Sequence, residues 1–208
     1  MNKENKLYSN KSTSIYVQIF GILVGLSGAL HGGFETLQGN KPTAGIVLPE
    51  IGALTIIPNY LATGIAAIIV GSLVIIWTVG FINKRIWPSV FIILCILLFF
   101  VGGGFAQVLV IIIAWMVSTQ IHNPLSWWEK IIPHRIRSIF ARLWFPILIL
   151  GVLFFTVGFG IWLFVLPPGE IREVTTTHYL VWTSLFIGIL LLFIDIIFGF
   201  SRDIELRG

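Results

Sequence analysis

The chain has 208 residues, of which 57% are hydrophobic and only 11% charged, with mean hydropathy +0.98 and a formal net charge of +4. A soluble domain carries about 25% charged residues, so an ordinary soluble fold is excluded. A nucleic-acid-binding face is excluded too, because the basic residues flank apolar runs rather than clustering together. The single cysteine, Cys95, rules out an internal disulfide and any CxxC site.

Residues 1–14 are polar and hold Lys3, Lys6 and Lys11. The apolar run 15–37 follows. It can be read as a signal peptide, with Ser27-Gly28-Ala29 as a small-residue cleavage pattern. It can also be read as a membrane helix, because Gly21, Gly25 and Ala29 form a small-xxx-small stripe. That stripe suits close packing against another membrane helix, including one from a second copy or a membrane partner. At the end of the run, His31 and Glu35 are four residues apart and share a helical face. Such a pair can ligate a metal, relay a proton or bind a polar ligand, or simply hydrogen-bond the loop that follows. The loop 38–58 carries Glu50, and Asn59 opens the second apolar run, 59–82.

After Lys84 and Arg85 comes an apolar stretch from 86 to 119, broken by Gly102-Gly103-Gly104. About 20 helical residues span a bilayer, so this stretch is too long for one crossing. Each glycine costs about 1 kcal/mol inside a helix relative to alanine and little in a tight turn. Charge decides between a kinked crossing and a hairpin of 86–101 and 105–119. With a hairpin and the N-terminus inside, eleven of the 13 Lys and Arg residues are cytoplasmic, and only Lys41 and Arg172 are outside. That is the positive-inside pattern; a single crossing leaves no bias. Gln107 follows the glycine turn. The free N–H groups and positive dipole end of the next helix are expected to favour an anion or a carboxylate there.

In the loop 120–143, Ser126 and Glu129 have capping-box spacing. Beyond Pro133, Ile136, Ile139, Phe140 and Leu143 share one helical face, and Arg135, Ser138 and Arg142 the other. This predicts a short basic helix lying in the headgroup layer, with Trp127, Trp128 and Trp144 at interfacial depth. The last runs are 144–166 and 179–200, with His178 at an outer end. Asp195 lies well inside the final run, where an acid costs about 2.5–3.5 kcal/mol to insert and marks a functional candidate. Pairing with Arg202 is the structural alternative.

The expected fold is all-α: one transmembrane domain over 1–208, in the cell membrane, with both termini cytoplasmic and a tail at 201–208. It has six apolar segments, four full spans and the glycine hairpin. A candidate outer site gathers His31, Glu35, Gln107, Gly102, Gly103, Gly104 and His178. No cofactor, metal or haem is expected, and lipids are the natural partners. No G-x-S-x-G, H-E-x-x-H or P-loop occurs. In its six spans, inward termini, outward site and small residues on the first helix, the layout is similar to the substrate-binding subunits of energy-coupling-factor vitamin transporters. That resemblance implies binding of a small solute and carries no residue motif. Binding or transport of a small polar or anionic solute is therefore expected. The alternatives are a lipid- or isoprenoid-modifying enzyme using His31 and Glu35, and a structural subunit of a membrane complex.

Overall fold

The computed structural model describes residues 9–48, 53–104, 107–165 and 176–207. Glu50 and Arg172 lie outside the described residues, as do Lys3 and Lys6. Among the described residues the regular structure is helical apart from a small hairpin, and the chain forms two compact units, 1–123 and 124–208.

The first unit contains α1 (Lys11–Leu37), strands β1 (Val47–Leu48) and β2 (Ala53–Leu54), α2 (Tyr60–Phe81), α3 (Trp87–Phe100) and α4 (Val108–Ser118). At 1.5 Å per residue, α1 and α2 are about 40 and 33 Å long, whereas α3 and α4 are about 21 and 16 Å. Both α1 and α2 are long and apolar enough to cross a membrane; α3 and α4 are apolar but shorter. The outer face of α2 is aliphatic and uncovered, with Ile69 55% and Ile76 59% exposed. A face of that kind suits lipid and would be an aggregation site in water.

Glycine sets how closely α1 and α2 approach. A Cβ on Gly25 would sit 2.6 Å from the Gly71 carbonyl oxygen, and one on Gly71 would sit 2.6 Å from that of Gly25. Gly32 and Gly64 repeat the arrangement seven residues away, at 2.5 Å each way. Two reciprocal backbone contacts one heptad apart leave no room for a side chain and allow Cα–H···O contacts. Gly71 also meets Ala29, and Gly21 meets Thr78. The small-residue stripe offered above to a second chain is therefore covered by α2 of the same chain.

The α2–α3 turn is held by two tryptophans. Each indole Nε1 donates to the other's carbonyl, Trp77 to Trp87 and Trp87 to Trp77, both at 3.3 Å. Pro88 stands in the first turn of α3, where its missing N–H costs nothing. At the far end, α4 is tied to the start of α1 by Asn10. Its backbone N–H donates to Ile121 O at 3.0 Å, and its side-chain amide donates to Gln120 O and Asn123 O at 2.6 and 3.0 Å.

The second unit contains α5 (Ser126–Ile131), α6 (His134–Val165) and α7 (Thr176–Glu205). Both long helices have an apolar stretch long enough to cross a membrane. They pack antiparallel through small residues: Gly151 lies under Leu192, Gly158 under Leu185, and Gly188 against the Phe155 backbone. Ser184 Oγ donates to Phe154 O at 2.8 Å. Phe140 stacks on Phe198 with centroids 4.3 Å apart, and Arg137 Nε reaches Glu205 Oε1 at 2.7 Å.

Two local expectations differ from the structure. Ser126 is the first helical residue of α5 rather than its cap, and no side-chain cap bond forms there; the Glu129 N–H donates to Leu125 O. The basic stretch after Pro133 is not a separate helix. It runs unbroken into α6, because no glycine or proline intervenes before Pro146, which itself lies inside the helix. The hairpin β1–β2 was not anticipated; strands of two residues leave no periodicity to read.

Candidate functional site

The loop after α1 folds back as a hairpin, Val47 opposite Leu54 and Leu48 opposite Ala53. The chain leaving β2 then pairs with the break between α3 and α4. Thr55 bridges Val101 in antiparallel fashion, Ile56 N–H donates to Phe100 O at 3.0 Å, and Gly102 N–H donates to Leu54 O at 2.9 Å. Thr63 on α2 donates its hydroxyl to Val101 O at 2.9 Å and lies 2.5 Å from the Thr55 hydroxyl. Thr55 and Thr63 are both buried. Neither was singled out in the sequence, since a threonine near an apolar run is usually a back-bonded helix residue.

This clamp fixes the glycine turn against α1. Gly102 and Gly104 adopt φ of +96° and +89°, the left-handed region that other residues avoid. The space a side chain would need is taken. Over Gly102 it is filled by the Glu35 carboxylate, and over Gly104 by His31, whose Nε2 lies 2.9 Å from the Cβ position. Over Gly103 it is filled by Leu98. The structure thus brings His31, Glu35 and the three glycines together.

Glu35 is 0% exposed, and neither carboxylate oxygen has a hydrogen-bond partner among the described residues. Gln107, the residue before α4, is 7% exposed, and its side-chain carbonyl oxygen likewise lacks a partner among them. Buried polar atoms left so cost about 1–3 kcal/mol each, more when charged. Such atoms call for an explanation by function or by a bound group.

From the sequence an anion is expected at the glycine turn because a helix start follows it. The N–H groups of Gly102 and Gly103 are already donated, to Leu54 O and Leu98 O. The buried oxygens of Glu35 and Gln107 stay without a partner among the described residues. His31 and Glu35 together with the described residues form no group of three or more metal-ligating side chains. His178 stands in the first turn of α7, in the second unit. Asp195, on α7, is 0% exposed with neither oxygen partnered among the described residues; no bond to Arg202 is present.

Comparison of the chain with family models, with characterised proteins and with solved structures finds no match.

Proposed function

We propose that this is a multi-pass membrane protein that binds, or helps move, a small polar solute at an outward-facing site. The site is formed by His31, Glu35, Gln107 and the turn Gly102–Gly104. The single observation that supports it most is the fully buried Glu35 carboxylate, unpartnered among the described residues and seated on a glycine turn that two further segments clamp in place. Irregular backbone at membrane depth is tolerated where it lines protein or a polar cavity. Broken helices meeting at such a point are a recurrent way to present polar groups to a solute. The open acceptors favour a solute that donates hydrogen bonds.

The proposed orientation places both termini inside. Gly104 lies beside His31 and Ile121 bonds Asn10, so these two points of the second arm meet the first helix about twenty residues apart. That is about 30 Å, the thickness of the hydrocarbon core, which supports a full crossing. Cysteine labelling tests the orientation. With Cys95 replaced, a cysteine at Ala44 is expected to react with an impermeant reagent in intact cells. One at Ser126 is expected to react only after the membrane is opened. Both positions are exposed. Labelling of the Ser126 position from outside reverses the topology and removes the outward site.

Solute binding is tested by native mass spectrometry of the detergent-purified chain. A non-lipid adduct is expected on the wild-type protein, and its loss on Glu35→Ala. Wild-type and variant spectra that carry lipid alone would return the chain to a structural role.

A further inference from the structure

Resting on the outer site just proposed, the charge of its occupant follows from what surrounds Glu35. None of α2, α3 or α4 carries an aspartate, glutamate, lysine, arginine or histidine, nor does the described loop segment 53–58. Among the described residues, His31 lies one turn earlier on α1 with its ring turned to Gly104, and Lys41, in the loop that follows α1, is exposed and makes no bond to Glu35. No lysine or arginine bonds Glu35 among the described residues.

The backbone adds negative rather than positive potential. Helix α3 ends at Phe100, with Val101 as its cap, and Gly102 then touches the Glu35 carboxylate. A helix C-terminus carries about half a negative charge. The turn therefore sets the negative end of α3 beside a buried acid. The first turn of α4, where positive potential would lie, begins only at Val108. The N–H of Gly102, the residue that meets the carboxylate, is spent on Leu54 O. Gln107, three residues beyond Gly104 in the chain, has a second buried acceptor oxygen without a partner among the described residues. An isolated carboxylate in an apolar interior is too costly to persist as an anion without compensation.

We propose that the Glu35 site takes one positive charge from the outer side, a proton or an alkali cation, and that this charge accompanies the solute. Carboxylate oxygens beside a single imidazole, with no group of three or more metal-ligating side chains among the described residues, suit a hard monovalent ion or a proton. The two sources share the same carboxylate and are separated by competition.

A hydrophobic carbodiimide modifies carboxyl groups in their acid form within apolar surroundings, and peptide mass mapping of the full-length detergent-purified protein locates the adduct. In sodium-free buffer Glu35 is expected to be modified. If an alkali cation is the occupant, sodium at about ten times its dissociation constant leaves about a tenth of sites free and slows Glu35 modification about tenfold. Modification of Asp195, on the other unit, should be unchanged. If the proton is the occupant, sodium leaves the Glu35 rate unchanged. Absence of a Glu35 adduct in sodium-free buffer overturns the proposal. So does a Glu35→Gln variant that melts several degrees below wild type in sodium-free buffer, because the carboxylate would then hold a fixed protein partner rather than a cation. The assay uses no solute. A positive result with no solute adduct in native mass spectra would leave the charge site standing and remove the solute reading, and the converse result would do the opposite.

Discussion

Gly71→Leu is expected to destroy the first unit, whereas Gly80→Leu is expected to be nearly silent. A Cβ at position 71 would lie 2.6 Å from the Gly25 carbonyl oxygen and 2.9 Å from the Ala29 nitrogen. Both obstacles are backbone, so no rotamer change can make room. The helices must separate, and separation also strips the reciprocal contact at Gly32 and Gly64, one heptad along. Overpacking a tight core costs about 1–3 kcal/mol when side chains can yield, and occasionally more. Here they cannot yield, and each lost Cα–H···O contact adds about 0.5–1 kcal/mol. A loss of about 3 kcal/mol or more follows, visible as a collapsed monodisperse peak in detergent or a much lower melting temperature. Gly80 has nothing within 4 Å of its Cβ position, so leucine there should stay within about 0.5 kcal/mol. Equal behaviour of the two variants would mean that α1 and α2 do not meet through glycine.

Gly102→Ala is expected to lose stability through two separable terms. Its φ of +96° is left-handed, which costs an L-residue about 1–2 kcal/mol. Its new methyl would also fall on the Glu35 carboxylate, an overpacking cost of about 1–3 kcal/mol. Removing the obstacle should remove only the second term. In a Glu35→Ala background, Gly102→Ala is therefore expected to cost about 1–2 kcal/mol, the backbone share alone. The interaction energy from thermal melts of the four proteins measures the contact directly. Strict additivity would place Glu35 away from the turn, and with it the proposed site would lose its floor.

What the residues alone could settle was the part of this protein governed by local chemistry. Runs of about twenty apolar residues between basic loops identify candidate spans. The expected segments 15–37, 59–82, 86–101, 105–119, 144–166 and 179–200 fall within a few residues of the helices α1, α2, α3, α4, α6 and α7, except that α6 begins ten residues earlier. The break at Gly102–Gly104 was visible because three glycines disfavour a helix and permit positive φ. The pairing of His31 with Glu35 was visible because i, i+4 spacing is a property of one helix. Contacts between segments distant in the chain needed the tertiary structure. The sequence shows Gly25 and Gly32, and Gly64 and Gly71, at the same seven-residue spacing, but only the register of α1 on α2 turns them into reciprocal contacts. The sequence favoured an anion at the glycine turn because a helix start follows it. The structure shows two of the turn's N–H groups already used and Glu35 occupying the space above Gly102, because β2 and the end of α3 claim the turn first. Hydrogen bonds and van der Waals fit act over a few ångströms in space, and that proximity is created by the fold rather than by order along the chain.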